Sequence, residues 1–224
     1  MIDTILPSGV AAAELRAYPP DLKAHPGEEH LIAKAVEKRR RDFIGARHCA
    51  REALTQLGEP AVAIGKGEMG APVWPRGVVG SLTHCDGYRA AALAHRLRFR
   101  SVGIDAEPHA SLPDGVLDSV SLPVEREWLS AALPGTELHL DRLLFCAKEA
   151  TYKAWYPLTA RWLGFEDAHI TFTVDAEGTD GGAGTFHSDL LIPGHTTDGG
   201  APLRTFDGRW LIADGLILTA IVEG

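Results

Sequence analysis

The chain has 224 residues, of which 45% are hydrophobic and 23% are charged. This composition is ordinary for a globular protein and excludes a mainly disordered chain. The formal net charge of −8 argues against general nucleic-acid binding. No apolar run approaches the ~18 residues that a membrane span needs, and the cysteines form no CxxC pair, which fits a reducing compartment. We expect a cytoplasmic monomer that binds neither nucleic acid nor a membrane.

In the first half of the chain, a helical segment precedes strand-like segments. Residues 28–57 have apolar residues at helical spacing and are followed by Gly58, so they predict one long helix or two abutting ones. Glycine and proline are frequent in residues 59–77, which predicts an ordered loop. Three strands are predicted after this loop: Val78–Leu82, Tyr88–His95 and Ser101–Asp105.

The second half of the chain begins with a connection and then helical patterns. Residues 108–122 contain prolines and a glycine and predict the connection. Pro123 can begin a helix that extends to Leu133, because its fixed φ suits a first helical position. Two more helices are predicted: a strong one from about Leu138 to Trp155, ended by Pro157, and a short one around Thr159–Leu163.

The end of the chain alternates in the manner of β-strands. Strands are predicted at His169–Val174, Thr185–Ile192, Trp210–Ala213 and Leu216–Val222, with loops at the glycines 178, 181, 182, 184, 199 and 200. The glycine-rich region 178–208 fits either a surface loop near a partner's docking site or a spacer between strands. Helix followed by strands thus occurs twice, which predicts an α+β protein of two similar halves, approximately 1–108 and 109–224, in one compact unit.

Two carboxylates lie at the end of the third predicted strand. Side chains two residues apart on a strand point to one face, so Asp105 and Glu107 can converge while Ile104 enters the core. Two such carboxylates repel each other unless a cation or a proton lies between them. Hard oxygen ligands suit Mg²⁺. The structural alternative is an exposed acidic strand end.

Glu149 and Lys153 lie four residues apart in the strong helix and therefore share one face. The ordinary interpretation is a helical salt bridge worth ~0.3–0.5 kcal/mol. However, aromatic and aliphatic neighbours such as Phe145 and Trp155 leave this face little room to be solvated. Charged residues on a mostly apolar helix usually need partners, so a functional role competes with the salt bridge.

Two further groups of residues are candidates for phosphate binding. Thr83 and His84 end the first predicted strand at a turn, where both can donate to a phosphate. A turn-stabilising threonine beside a surface histidine is the alternative.

The second group is basic. Arg40, Arg47 and Arg51 fall on one helical face, and arginine forks match phosphate oxygens, although a solvated charged face fits the same spacing. Lys66, between two glycines, can add a further positive charge.

Four motifs follow one another in order: Gly70–Pro75 (GAPVWP), Gly80–His84 (GSLTH), Val102–Glu107 (VGIDAE) and Phe145–Trp155 (FCAKEATYKAW). Their order and spacing resemble the 4′-phosphopantetheinyl transferase superfamily, over roughly residues 30–175. The similarity is to the single-chain surfactin-synthetase and enterobactin-synthase type, and above all to its actinobacterial members from mycobacteria and streptomycetes.

The resemblance implies a fold and a reaction. The fold is a pseudo-dimer of two α+β halves. The reaction is the transfer of 4′-phosphopantetheine from coenzyme A to a serine of an apo acyl, peptidyl or polyketide carrier protein, with Mg²⁺ as cofactor and 3′,5′-ADP as the leaving product. Coenzyme A and carrier proteins are thus the implied partners.

The resemblance also implies metal-binding and catalytic residues. Asp105, Glu107 and Glu149 match an acidic triad that binds Mg²⁺, and Lys153 matches a lysine that contacts the coenzyme A pyrophosphate. A base must remove the proton of the carrier serine, and Glu149, acting directly or through a metal-bound water, is our candidate.

Coenzyme A phosphate contacts are implied for Thr83 and His84, for Arg47 at the 3′-phosphate and for Lys66. The motif register favours Arg39 as one more contact, whereas the helix-face argument favours Arg40. We take Arg39, because a long arginine side chain can bridge the angular offset between the two positions.

Two other functions fit part of the pattern. A Mg²⁺-dependent nuclease would use the same carboxylates, but it would not explain the GSLTH segment and sits poorly with the negative charge. A non-catalytic module that binds coenzyme A or a carrier protein would be expected to lack metal ligands, and all three acidic positions are present. We therefore favour the transferase.

Overall fold

The computed structural model describes residues 1–132, 138–178 and 181–224. The chain divides into two compact units, Met1–Val102 with Gly224, and Gly103–Glu223. Each unit combines helices with antiparallel strands, so the predicted α+β class is confirmed. None of the helices among these residues is both long and apolar enough to cross a membrane.

The first unit packs one long helix on a three-stranded antiparallel sheet. In spatial order the strands are β1 (Val10–Leu15), β5 (Tyr88–His95) and β4 (Val78–Cys85), and the helix is α1 (Glu37–Gln56). Ala50 and Ala53 of the helix and Ala91 of the sheet are fully buried in this contact. Along the chain between α1 and β4, two short strands pair with each other: β2 (Gly65–Lys66) and β3 (Pro72–Val73).

The predicted strand Tyr88–His95 is confirmed at both ends, whereas the strand predicted to end at Leu82 continues to Cys85. The helical segment 28–57 is divided into a short 3-10 helix and α1. Strand β1 was not predicted, because its sequence VAAAEL is dominated by alanine, which has a low β-propensity.

The second unit packs helices on a five-stranded antiparallel sheet. In spatial order the strands are β6 (Ser101–Pro108), β10 (Leu216–Glu223), β9 (Leu203–Ala213), β8 (Gly181–Gly194) and β7 (Ala168–Gly178). The helices are α2 (Val116–Val120), α3 (Pro123–Ala132) and α4 (Leu140–Thr159). Leu143 and Trp155 of α4 share a buried cluster with Trp210 and Ile217 of the sheet. The predicted helix end at Leu133 lies outside the described residues.

Pro157 does not end α4, which corrects the prediction. The helix continues to Thr159, and Ala160 ends it with a left-handed φ of 52°. Because Pro157 lies in the last turn, its missing N–H removes a single hydrogen bond there. The short helix predicted around Thr159–Leu163 is also wrong, since the chain leaves the helix axis at Ala160.

The glycine-rich region is mostly strand. The loops predicted at Gly178, Gly181, Gly182 and Gly184 are therefore wrong, because the first lies in β7 and the other three lie in β8. Two of these glycines lie against the indole of Trp210. A Cβ added to Gly184 would clash with the carbonyl oxygen of Thr173 on β7 and lie 2.9 Å from Trp210 Nε1. One added to Gly182 would lie 3.0 Å from the carbonyl oxygen of Ala176 and 3.3 Å from the Trp210 ring. These glycines make room for backbone carbonyls of β7 and for the buried Trp210 side chain of β9 rather than form a turn.

Gly103 brings β6 unusually close to α4. A Cβ at this position would clash with the carbonyl oxygen of Ala150 and would lie 2.7 Å from the amide nitrogen of Ala154. Both atoms belong to helix backbone and cannot rotate away. The missing side chain therefore sets the distance between the strand that carries Asp105 and the helix that carries Glu149.

We predict that Gly103→Ala lowers the free energy of unfolding by about 1–3 kcal/mol, the usual cost of overpacking a core. Gly178→Ala is the matched control, because among the described residues the nearest atom to its added Cβ would be 3.8 Å away. Urea denaturation of both variants measures the difference. Equal stability of the two variants would contradict the close approach.

Candidate active site

β6 carries Asp105 and Glu107 on one face, as its alternation predicts. Ile104 and Ala106, which point the other way, are fully buried, and Asp105 itself is only 5% exposed. Glu107 is partly buried, with 19% of its side chain exposed. An exposed acidic strand end is therefore excluded as a description of Asp105.

Lys153 of α4 binds Asp105 rather than Glu149. Its Nζ donates to Asp105 Oδ1 at 2.6 Å, and no ion pair joins it to Glu149 within the described ranges. Burial disfavours the lysine charge, but the attraction of Asp105 and the hydrogen bond to it outweigh burial and raise the pKa of Lys153. The simple helical salt bridge between Glu149 and Lys153 is thus not formed.

Glu107 has a cationic partner that the sequence analysis did not identify. Arg142 Nη1 donates to Glu107 Oε2 at 2.9 Å, and the same guanidinium donates to the carbonyls of Ala110 and Ser111 at 3.2 and 2.6 Å. Arg142 precedes Glu149 by seven residues, which is two helical turns. That spacing was the available signal that both side chains share one face of α4.

Glu149 lies near this group without a hydrogen bond or ion pair in the described part of the chain. Burial, followed by the negative charges of Asp105 and Glu107, raises the pKa of Glu149 despite the nearby Lys153. Burial and the charge of Asp105 also raise the pKa of Glu107, although Arg142 opposes them. The negative charge of Asp105 therefore disfavours the ionisation of both Glu107 and Glu149.

This group has the donor chemistry of a Mg²⁺ site, since all three side chains offer carboxylate oxygens. In residues 1–132, 138–178 and 181–224, however, no three histidine, cysteine or acidic side chains are gathered closely enough to hold a metal ion. The ammonium of Lys153 and the guanidinium of Arg142 bind two of the carboxylates instead.

Lys148, next to Glu149 in the motif, is a structural residue. It is 4% exposed, and its Nζ lies 2.8 Å from Glu125 Oε2 and donates to the carbonyls of Phe165 and Ala168 at 2.6 and 2.9 Å. Glu125 also accepts the backbone N–H of Ile170 at 2.8 Å. This buried pair joins α3 and the start of β7 to α4 and so steadies the helix that carries Glu149.

The first unit brings Arg39 and His84 together. Arg39 Nη1 lies 2.8 Å from His84 Nε2, whereas Arg40 turns away and donates to the carbonyl of Ile32 at 2.8 Å. The geometry thus pairs the motif residue Arg39, and not Arg40, with a second predicted phosphate contact. Thr83 is 2% exposed, and its assignment stays a prediction.

Asp42 is a further residue of this cluster that the sequence analysis missed. Its carboxylate accepts from Arg89 Nη2 at 2.6 Å and lies 4.0 Å from His84 Nδ1. Both Asp42 and Arg89 are buried. Asp42 follows Arg39 by three residues on α1, a spacing that places the two side chains on neighbouring positions of one helical face.

Arg47 and Lys66 differ sharply in exposure. Arg47 is 6% exposed, its guanidinium lies 3.4 Å from the centre of the Phe43 ring, and it donates to the carbonyls of Ile64 and Gly65. Burial lowers the pKa of Arg47 to about 10. Lys66 is exposed and makes no hydrogen bond or ion pair with the described residues.

Comparison with known proteins shows the family to which the chain belongs. Residues 27–94 match the 4′-phosphopantetheinyl transferase N-terminal domain, and residues 101–190 match the 4′-phosphopantetheinyl transferase superfamily. The chain is similar to the 4′-phosphopantetheinyl transferase Npt of Nocardia iowensis, with 78% identity over 221 residues and 99% of each chain covered.

Two other relatives extend the comparison. The 4′-phosphopantetheinyl transferase PptT of Mycobacterium tuberculosis is 57% identical, over 99% of this chain and 97% of its own. The 4′-phosphopantetheinyl transferase Svp of Streptomyces mobaraensis is 47% identical, over 99% of this chain and 88% of its own. The chain therefore belongs to the 4′-phosphopantetheinyl transferase superfamily and is an enzyme of this class, as the four motifs predicted.

The raised pKa of Glu149 predicts a pH-dependent stability. Its ordinary pKa is 4.5 and its pKa in the folded protein is higher. The free energy of unfolding is therefore not reduced by Glu149 at a pH below its ordinary pKa, and it falls as the pH rises through the pKa of the folded protein. Without divalent metal, Glu149→Gln should therefore raise Tm at neutral pH, where ~1 kcal/mol corresponds to ~2–4 °C. The difference should shrink as the pH falls toward 4.5.

Thermal unfolding over a pH series measures this effect. Glu127→Gln is the control, because Glu127 is exposed on α3 and should leave Tm unchanged. If Glu149→Gln lowered Tm equally at every pH, Glu149 would make a stabilising contact and the repulsion would be refuted.

Proposed function

We propose that this enzyme transfers 4′-phosphopantetheine from coenzyme A to the serine hydroxyl of an apo carrier protein and releases 3′,5′-ADP, with Mg²⁺ as cofactor. The serine oxygen forms a bond to the phosphorus that carries pantetheine, and the bond from this phosphorus to the bridging oxygen of the leaving 3′,5′-ADP breaks. The observation that carries the proposal is the group of three carboxylates and one lysine on β6 and α4 of a superfamily member.

Asp105, Glu107 and Glu149 are the residues that would hold Mg²⁺. Their oxygens suit this hard cation, and the repulsion that raises the pKa of Glu107 and Glu149 would be relieved by it. When bound, Mg²⁺ would neutralise charge on the pyrophosphate oxygens. Lys153 binds Asp105 and Arg142 binds Glu107, so Mg²⁺ would compete with these two cations for the carboxylates.

Lys153 would stabilise the negative charge that grows on the leaving 3′,5′-ADP. Its raised pKa keeps the ammonium charged at neutral pH, so it supplies a permanent cation where charge develops. An interaction that strengthens during the reaction raises kcat rather than substrate affinity.

Glu149 would receive the proton of the carrier serine. Its carboxylate accepts no hydrogen bond in the described part of the chain, so its oxygens are available to a substrate hydroxyl. A carboxylate without an internal hydrogen bond can act as the general base for such a hydroxyl.

Arg39, His84, Lys66 and Arg47 would bind phosphate groups at the adenosine end of coenzyme A. Arg39 and His84 lie within 2.8 Å of each other and can share one phosphate. Arg47 uses Nε and Nη2 on backbone carbonyls, which leaves Nη1 as the donor for the 3′-phosphate. Thr83 is the remaining proposed contact of this group.

The test incubates the protein with coenzyme A, Mg²⁺ and an apo carrier protein and weighs the carrier by mass spectrometry. We expect the carrier to gain one phosphopantetheine, and we expect Asp105→Asn and Glu149→Gln to slow the gain by about 100-fold or more, since each loses a metal ligand or the base. Glu127→Gln is the control and should retain the wild-type rate. A carrier of unchanged mass would contradict the transfer, and wild-type rates in both variants would refute the assigned roles.

A further inference from the structure

Lys66 lies on a short segment whose own hydrogen bonds are too few to hold its backbone in one conformation. β2 and β3 pair over only two residues each, and so short a ladder is marginal in water. The side chain of Lys66 is exposed and has no hydrogen bond or ion pair to the described residues. Its position therefore depends on whatever holds the backbone immediately before it.

The backbone before Lys66 is held on both sides of Ile64. The Ile64 N–H donates to Glu28 Oε1 at 2.8 Å. The Ile64 carbonyl accepts from Arg47 Nε at 3.0 Å, and the Gly65 carbonyl accepts from Arg47 Nη2 at 3.4 Å. The Ile64 side chain is fully buried in the core of the first unit.

Glu28 connects this segment to helix α1. Its carboxylate is fully buried, and Oε1 also accepts from Arg51 Nη1 at 2.6 Å. Its second oxygen, Oε2, is buried without a hydrogen-bond partner in the described part of the chain. Burying a carboxylate carries a large desolvation cost, and a hydrophobic residue would avoid this cost if packing were the only requirement.

The position of Glu28 also explains why two arginines of α1 bind different groups. Arg51 is paired directly with Glu28, whereas Arg47 lies one helical turn earlier and holds the carbonyls of the segment. The negative charge of Glu28 favours the charged form of Arg47 against the effect of burial. One carboxylate thus contacts the N–H of Ile64 and supports the guanidinium that binds its carbonyl.

We propose that Glu28 is a positioning residue that, together with Arg47 and Arg51, preorganises Ile64–Lys66 so that Lys66 meets a phosphate of coenzyme A. The inference rests on the phosphate contact proposed above for Lys66. It adds a residue that touches no substrate and acts through the backbone. Preorganisation of this kind improves affinity because the segment need not be ordered on binding.

The test compares four variants: Glu28→Gln, Lys66→Ala, the double variant, and the control Glu29→Gln. The amide of Glu28→Gln keeps the shape and can accept from Ile64, but it removes the charge that binds Arg51. Glu29 is the exposed neighbour, so the same substitution there should change nothing. Isothermal titration calorimetry with coenzyme A measures Kd, and thermal unfolding verifies that each variant is folded.

We expect Glu28→Gln and Lys66→Ala each to raise Kd about 5- to 10-fold, in line with the loss of part of a charged contact. The Kd of the double variant should rise no further than that of the weaker-binding single variant, because both changes remove the same contact. In the transfer reaction Glu28→Gln should raise KM for coenzyme A while kcat stays within about twofold.

The outcomes separate the inference from the proposed function. If Lys66→Ala raised the Kd for coenzyme A but folded Glu28→Gln did not, the inference alone would be overturned. The same conclusion would follow if the Kd of the double variant rose by the product of the two single effects. An unchanged Kd in Lys66→Ala would overturn both the Lys66 contact and the inference.

Hydrogen exchange of the wild-type protein provides a test that does not depend on a variant that folds. If Glu28 holds the segment before substrate arrives, the Ile64 amide should already be protected, and coenzyme A should slow its exchange by less than about threefold. Strong protection that appears only with coenzyme A would mean that the ligand orders the segment, and this result would overturn the inference.

Discussion

The close approach of β6 to α4 at Gly103 is the constraint on which the chemistry of the second unit depends. At that position even a methyl group would clash with helix backbone at Ala150 and Ala154. Asp105 follows two residues later on the strand, and Lys153 lies on the facing helix, where the two side chains meet at 2.6 Å. Because backbone packs directly on backbone at Gly103, the separation of the strand from the helix does not depend on flexible side chains.

The proximity that creates the candidate active site also makes it electrostatically unfavourable. Burial and mutual repulsion raise the pKa of Glu107 and Glu149, and two protein cations partly offset the charge: Lys153 at Asp105 and Arg142 at Glu107. Additional positive charge near these carboxylates would therefore be favourable. Lys153 and Arg142 therefore hold two of the three carboxylates in place.

The sequence predicted those features that depend on local periodicity. The strand Tyr88–His95 and the same-face pair on β6 follow from alternation alone. Contacts between distant segments were not accessible: the partner of Lys153 is Asp105, whereas helical spacing suggested Glu149. Glycine was misleading in β8, where it accommodates Trp210 rather than forming a loop. The family resemblance supplied the roles of the site residues, which local patterns leave open between structural and functional interpretations.

In the proposed function, carboxylates from β6 and α4 act as one metal-binding set. The most direct measurement uses Mn²⁺ as a paramagnetic probe and counts bound ions by electron paramagnetic resonance, in the presence of coenzyme A. We expect one bound Mn²⁺ per wild-type chain. We expect that ion to be lost, with the protein still folded, in each of three variants: Asp105→Asn, Glu107→Gln and Glu149→Gln. Undiminished Mn²⁺ binding in all three variants would contradict this expectation.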